Sequence, residues 1–279
     1  MIWQKLGAQL LSLDSPLFYL SPHRNADTPA RGGVPVLFPQ FADKGPLQKH
    51  GYARNTLWVL DKEEKSEDAR SLQVCTELSL DVSKTTWPDW PYAARLQLHI
   101  VQRIEHSNQA SAQPTQPSQP ALPPSTSLEM TLTVTNTGNE AFEFTGGLHP
   151  YFAISHPSQF GLIGLADCPI VDKLNPALGF ETAQGPSLDG GELERLYLSA
   201  PPVRMEGSPL GTVSLSTTGF TNWMVWNPGI ELAKTITDLP DDDWARFICV
   251  EPVVVDKPVR LQMGESFVGT LSCTWCGQA

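Results

Sequence analysis

The chain has 279 residues, of which 41% are hydrophobic and 18% charged, and its net charge is −11. This length is enough to bury a large core, so we predict a single domain over residues 1–279. The acidic charge excludes the broad positive surface that nucleic acids and anionic membranes require, and the sequence has neither a secretory signal pattern nor a membrane-length apolar run. We therefore expect a cytoplasmic protein with no nucleic-acid or membrane partner.

The N-terminal part of the chain combines short strands with a structured loop. Residues 3–20 alternate apolar and polar side chains in short runs, which predicts strands and tight turns. In residues 21–41, Pro35 and Pro39 exclude a helix and interrupt any central strand. The charged run 61–70 further on predicts a solvated hairpin tip.

Positive charge is concentrated between His23 and Arg54. Five cations stand there against two aspartates, a local excess of +3 in an acidic chain. Arginine forks and glycine-rich backbone N–H groups suit an anion such as a phosphate. A set of surface charges that scatter in three dimensions is the other interpretation, and this pattern alone leaves it open. The cations are Arg24, Arg31, Lys44, Lys49 and Arg54.

Three aromatic residues, Trp87, Trp90 and Tyr92, lie within six positions of each other. Their rings could stack on the apolar face of a sugar, or they could fill the core or a sheet edge. The sequence does not distinguish these two roles.

A predicted hairpin carries a low-complexity insert. Residues 96–100 and 128–134 alternate with period two, so each predicts a strand with one buried face. Residues 107–127 between them are rich in Gln, Pro and Ser and lack core-forming apolar residues. We predict a flexible, dispensable loop, and deletion of residues 109–124 should leave thermal unfolding and activity close to those of the intact chain.

His149 follows a predicted strand and stands between Gly146-Gly147 and Tyr151-Phe152. A histidine at a strand end suits an acid in acid–base chemistry, and it also suits an ordinary buried position. The histidine alone leaves both interpretations open, and an acid would need a partner elsewhere in the chain.

The C-terminal half predicts more strands and no helix. Short strands are indicated around 170–173, 193–198 and 220–228. The acidic segment 238–244 lacks the spacing of a calcium loop, so we interpret it as an exposed turn. Many short strands separated by turns predict an all-β fold, a large sandwich with little helix.

Glu251 ends a fully apolar run that begins at Phe247. A carboxylate in that position is costly unless it is paired or functional, because desolvation disfavours its charged form. Glu251 is therefore the best candidate partner for His149.

Five cysteines are scattered over the chain and do not form a disulfide framework, so we expect reduced thiols. Cys273 and Cys276 have CxxC spacing. A single pair supplies only two of the four ligands of a structural zinc site, so we predict no metal there.

Six short motifs, taken in order, resemble those of the hexose-6-phosphate mutarotases, a branch of the aldose 1-epimerases. Each motif alone is weak, whereas six in the right order with sensible spacing are specific. They are residues 31–35 (RGGVP), 50–55 (HGYARN), 148–152 (LHPYF), 171–173 (VDK), 226–228 (WNP) and 249–251 (CVE).

This resemblance implies a β-supersandwich like that of galactose mutarotase, with the site on its concave face. It implies interconversion of the α and β anomers of a hexose phosphate such as glucose 6-phosphate, without a metal or organic cofactor, by a chain that we expect to be monomeric. Glu251 would be the base and His149 the acid that opens the sugar ring. His50 would hydrogen-bond the sugar, and further substrate contacts would come from Arg31, Lys49, Arg54 and Glu194.

This chemistry requires His149 to be protonated while Glu251 is ionised, and we expect the two groups to support each other's charge. The chain departs from the family pattern at Lys49, where glutamine is common, and at Asn222 and Glu194, where aspartate is expected. These departures bear on sugar selectivity and leave the pair intact.

Two other functions are open to the same chain. A binding or regulatory module without catalysis could use the same fold, because fold does not fix function. A glycosidase would need two carboxylates that face the scissile bond, and only Glu251 occupies a convincing position.

Overall fold

The computed structural model describes residues 1–25, 27–106 and 125–276. Two large antiparallel sheets are packed face to face, and a small two-stranded sheet stands beside them. The order in the first large sheet is β10-β13-β14-β17-β7-β6-β5-β4, and in the second it is β11-β12-β15-β16-β8-β3, with β9 also paired to β16. The strands are β1 Ile2–Gln4, β2 Gln9–Ser12, β3 Val36–Leu37, β4 Val59–Glu67, β5 Ser71–Val82, β6 Ala94–Glu105, β7 Ser125–Asn136, β8 Phe142–Leu148, β9 Tyr151–Ala153, β10 Gly161–Ile163, β11 Ile170–Asp172, β12 Leu193–Tyr197, β13 Val203–Ser208, β14 Gly211–Thr218, β15 Asn222–Asn227, β16 Phe247–Leu261 and β17 Ser266–Cys276.

Helical structure is scarce in the described part of the chain. One α-helix, α1, covers Gly229–Ala233, and three 3₁₀ turns cover Ala53–Asn55, Pro157–Gln159 and Asp241–Arg246. The all-β prediction is confirmed. Among the described residues, no helix has both the length and the apolar character needed to span a bilayer.

The predicted hairpin around the insert is confirmed, since β6 and β7 pair antiparallel with Leu98 opposite Leu132. Residues 107–124 of the predicted insert lie outside the described residues, and residues 125–127 are the first residues of β7. The charged run 61–70 differs from its prediction. Most of it continues β4 as an edge strand to Glu67, because both faces of the strand are exposed there and tolerate charge. Only residues 68–70 form the turn.

The main core lies between the two large sheets. Alternate residues of β6 and β7, such as Leu98 and Leu132, meet residues of the other sheet such as Trp223 and Val250. Trp87 and Trp90 are buried in the same core, which assigns them to packing. Cys273 is buried and Cys276 exposed, because a three-residue spacing puts them on opposite faces of β17.

A buried ionic network fastens the long segment between β11 and β12. Arg195 on β12 donates from Nε to Asp172 Oδ2 at 2.8 Å and from Nη1 to Glu181 Oε2 at 2.5 Å. Tyr197 Oη also donates to Glu181, whose side chain is fully buried. The network therefore holds the segment onto the strand that carries Glu194.

Candidate active site

His149 and Glu251 meet in a cavity of about 160 Å³ on the outer face of the seven-stranded sheet. His149 Nε2 lies 3.4 Å from Glu251 Oε1, and the two residues are 6% and 1% exposed. His149 Nδ1 and Glu251 Oε2 have no hydrogen-bond partner among the described residues. A buried polar atom without a partner is costly, so this pair is suited to bonding with a ligand.

The chain holds His149 through close backbone contacts. The His149 N–H donates to Pro35 O at 2.9 Å, in the crossing between β8 and β9. Gly147, with φ of +154°, allows β8 to approach β16, since a Cβ there would lie 2.2 Å from Pro252 O. The His149 ring stacks on Tyr151 with centroids 4.8 Å apart. The RGGVP and LHPYF motifs therefore position the ring together.

Strand register brings Glu251 to the same place. Glu251 on β16 lies opposite Met224 on β15. Trp226, which follows Met224 by two residues on the same face of β15, lies opposite Glu194 on β12. Residues of one face recur with period two, so these side chains all project into the cavity. The central position of β16 explains the apolar run that precedes Glu251.

Protonation of the pair differs from the ionic form that the sequence predicts. Burial lowers the pKa of His149 well below 6.5, and nearby His50 and Arg54 lower it further. Burial also raises the pKa of Glu251 well above 4.5, with Glu194 adding to the shift. Both directions favour a neutral imidazole beside a protonated carboxyl group. In this neutral form the shared proton lies on the Glu251 carboxyl group, whereas in the ionic form it lies on the His149 imidazolium.

His50 faces His149 with ring centroids 5.5 Å apart. Burial, with the Arg54 and Lys49 charges, lowers the pKa of His50 to about 3, so the ring is neutral at pH 7. Its Nδ1 accepts the Ala42 N–H at 3.2 Å, which leaves the proton on Nε2. His50 can therefore donate a hydrogen bond to a bound oxygen. Its φ of +68° is a strained backbone conformation of the kind that occurs at functional sites.

Three of the five predicted cations line the cavity, namely Arg31, Lys49 and Arg54. Arg31 is held by Asp238, whose Oδ1 accepts from Nε at 3.0 Å and from Nη2 at 2.9 Å. Arg54 donates to Lys49 O at 3.3 Å, and its buried Nε has no partner among the described residues. Arg54 is therefore the more available of the two arginines to an anionic ligand.

Glu194 closes another side of the cavity and pairs with Lys173 at 2.5 Å. The structure thus brings together all seven residues that the sequence assigned to the site. They are Arg31, Lys49, His50, Arg54, His149, Glu194 and Glu251.

Other residues of the site were missed. Asp238 was interpreted as part of an exposed turn, but it pairs with Arg31. In the same segment, Asp243 is buried and accepts a hydrogen bond from Tyr19 Oη at 2.6 Å. Tyr151 and Trp226 stood in recognised motifs without an assigned role, yet both line the cavity. Pairing between distant loops leaves no local signal in the sequence.

Cys249 joins His149 and Glu251 in a group whose ligand atoms lie within 4.8 Å of one another. The donor set could hold a soft metal ion. The surrounding Arg31 and Arg54 oppose a cation in this buried cavity. A metal centre at this pair is therefore disfavoured.

Two solved structures share this sandwich, which therefore has the galactose mutarotase-like fold. A crystal structure named "putative mutarotase" from Salmonella typhimurium superposes with a TM-score of 0.74 at 24% identity, covering 98% of this chain and 86% of that one. A galactose mutarotase related enzyme from Lactobacillus acidophilus superposes with a TM-score of 0.60 at 15% identity, covering 98% and 93%.

Sequence comparison gives the family. The aldose 1-epimerase family model matches residues 121–274, more than half of the chain, so the chain belongs to the aldose 1-epimerase family. The protein named "Putative glucose-6-phosphate 1-epimerase" from Cenchrus ciliaris is 28% identical over 272 residues, which cover 95% of this chain and 75% of that protein. The prediction of an isomerase of this type is confirmed.

Proposed function

We propose that this protein interconverts the α and β anomers of a hexose 6-phosphate, with glucose 6-phosphate as the expected substrate. The observation that carries the proposal is the buried His149–Glu251 contact of 3.4 Å inside a cavity that Arg31, Lys49 and Arg54 also line. The relative from Cenchrus ciliaris, named for glucose 6-phosphate, supports the choice of substrate. Anomer exchange needs an acid and a base but no activated nucleophile.

Ring opening uses the ionic form of the pair. The Glu251 carboxylate accepts the proton of the C1 hydroxyl while the His149 imidazolium donates its proton to the ring oxygen. The C1–O1 bond becomes a carbonyl and the bond from C1 to the ring oxygen breaks. The pair ends with a protonated Glu251 and a neutral His149.

Ring closure uses that neutral form. After rotation about the C1–C2 bond, the hydroxyl oxygen attacks the other face of the carbonyl. His149 accepts the proton of this hydroxyl, and Glu251 returns a proton to the carbonyl oxygen. The pair holds one proton when each half-reaction begins and one when it ends, so the cycle needs no exchange with solvent. Burial of the pair favours the form that closes the ring.

Substrate binding would divide between two sides of the cavity. His50, whose Nε2 carries the proton, would donate to a sugar oxygen near the pair, and Glu194 would accept from sugar hydroxyls. Arg54 and Lys49 would bind the phosphate, since Arg31 already spends two donors on Asp238. The monomeric state and the cytoplasmic location stay predictions.

The proposal is tested by polarimetry of freshly dissolved α-glucose 6-phosphate. We expect the protein to accelerate the approach to anomeric equilibrium over buffer alone in proportion to its concentration. Tight binding of glucose 6-phosphate by calorimetry without acceleration would instead identify a binding module. Release of nitrophenol from nitrophenyl glycosides would identify a glycosidase.

Substitution of Arg54 tests the phosphate contact. We expect Arg54→Met to lower kcat/KM for glucose 6-phosphate by about 10–100-fold, because a hydrogen bond to a charged group contributes about 1.5–3 kcal/mol. The rate on unphosphorylated glucose should change little. Arg204→Met is the matched control, since that arginine is exposed on β13 and pairs only with nearby Glu206. An equal loss on both sugars would contradict the assignment.

The pH profile tests the protonation of the pair. Activity requires one shared proton, and the lowered pKa of His149 means that a second proton binds only well below pH 6.5. The raised pKa of Glu251 means that the shared proton is lost only well above pH 4.5. We therefore expect kcat/KM, corrected for titration of the substrate phosphate, not to fall as the pH is lowered from 7 through 6.5. An acid limb centred at or above pH 6.5 would contradict this account.

A further inference from the structure

A second cluster of metal-binding side chains lies on the eight-stranded sheet, whereas the catalytic cavity lies on the other sheet. Cys75 and Glu77 belong to β5, and His99 belongs to β6. The ligand atoms of these three side chains all lie within 4.8 Å of one another. We propose that Cys75, Glu77 and His99 bind a divalent transition-metal ion such as Zn²⁺.

Strand register creates this cluster. Glu77 lies directly opposite His99 in the antiparallel pair, and Cys75 lies two residues before Glu77 on the same face. The intervening Thr76 and the next residue, Leu78, point into the core. Backbone hydrogen bonds of two long strands therefore hold all three donors on the outer side of the sheet, so little chain entropy is lost on binding.

The distances suit a tetrahedral ion. Cys75 Sγ lies 3.0 Å from His99 Nε2, and His99 Nε2 lies 4.0 Å from Glu77 Oε1. Zinc bonds to sulfur at about 2.3 Å and to nitrogen or oxygen at about 2.0–2.2 Å, so neighbouring ligand atoms stand roughly 3.3–3.6 Å apart. These two separations need to change by only about half an ångström, and the third, between Cys75 and Glu77, lies within 4.8 Å. Glu77 and His99 are half exposed, and rotation of their side chains can supply this change.

The chemistry of the donors selects the class of ion. Sulfur, imidazole nitrogen and carboxylate oxygen together suit zinc and its neighbours, whereas calcium and magnesium prefer oxygen ligands alone. Glu64 on β4 faces Cys75 across the strand pair and adds negative charge. Glu64 pairs with Lys62 at 3.0 Å, so it can become a fourth ligand only by leaving that lysine.

The thiol proton sets a condition on binding. Burial and the Glu77 charge raise the pKa of Cys75, so the free thiol is protonated at neutral pH. The ion must displace this proton to form the sulfur bond, as metal binding to cysteine generally does. The site is independent of the proposed catalysis, because no cavity residue contributes to it.

Cobalt(II) titration of the full-length protein tests the proposal. We expect one equivalent of Co²⁺ to produce the near-ultraviolet absorption of a cobalt–thiolate bond, and Zn²⁺ to abolish it by displacement. Cys75→Ser should remove the absorption. His99→Ala should weaken cobalt binding by at least about tenfold, since even residues that only hydrogen-bond to a metal ligand contribute about 10–100-fold. Cys276→Ser is the matched control, because that exposed thiol lies on β17 outside the cluster and should leave the titration unchanged.

Two outcomes would overturn the proposal. One is the absence of cobalt–thiolate absorption when the metal is in large excess over the intact protein. The other is absorption that survives Cys75→Ser and disappears in Cys249→Ser, which would put the ion beside His149 and Glu251. Thermal unfolding of each variant shows whether it is folded. Metal-induced stabilisation of the intact protein that Cys75→Ser abolishes would provide a second, independent readout.

Discussion

Glu251→Gln is expected to lower kcat for anomer exchange by about 10²–10⁴-fold, the contribution of one positioned acid–base group. The amide keeps the shape of the side chain but can no longer exchange a proton with the C1 hydroxyl. Substrate binding should be largely retained, because the arginines and His50 are unchanged. Polarimetry of α-glucose 6-phosphate under saturating conditions measures the effect.

Glu194→Gln is the matched control for this substitution. Glu194 lines the same cavity and pairs with Lys173, and it acts on Glu251 only through its charge. The control should change KM more than kcat, because its proposed role is to bind sugar hydroxyls. If Glu251→Gln kept near-normal kcat, another group would have to be the base.

Arg195→Met is expected to lower the free energy of unfolding by about 3–5 kcal/mol, because removal of one partner leaves buried charges uncompensated. Asp172 and Glu181 both depend on this arginine, and the Glu181 side chain is fully buried. Urea unfolding followed by tryptophan fluorescence measures the loss.

The exposed pair of Arg260 and Glu143 provides the comparison, since both side chains are more than half exposed. Arg260→Met should cost no more than about 1 kcal/mol, as solvent screens such pairs. Equal costs for the two substitutions would show that the buried network contributes nothing beyond a surface ion pair.

The strands were predictable because their period of two is local. The alternation in residues 96–100 and 128–134 was sufficient to predict the β6–β7 pair, which forms with a register of eleven residue pairs. The solvent exposure of the charged run 61–70 was predicted, but its strand structure was not, because charged side chains suit an exposed turn and an exposed strand equally well. β4 tolerates its lysines and glutamates because side chains on both of its faces are exposed from residue 61 to residue 67.

The residues of the proposed active site were predictable as a group because short motifs carry them. His149 stood at a strand end, Glu251 stood at the end of an apolar run, and their contact follows from the order of β8 and β16 in the sheet. The Arg31–Asp238 pair joins residues 207 positions apart, so no local pattern reports it. The protonation of the pair was also beyond the sequence, because it depends on nearly complete burial of both groups.

Exchange NMR of glucose 6-phosphate at anomeric equilibrium tests the central claim most directly. It reports the α-to-β rate without a coupled enzyme, and glucose in a parallel sample gives the comparison without a phosphate. We predict anomer exchange of glucose 6-phosphate that rises linearly with protein concentration, is much faster than that of glucose, and falls to nearly the buffer rate in Glu251→Gln. Exchange of glucose 6-phosphate at the buffer rate in the presence of the intact protein would contradict the account.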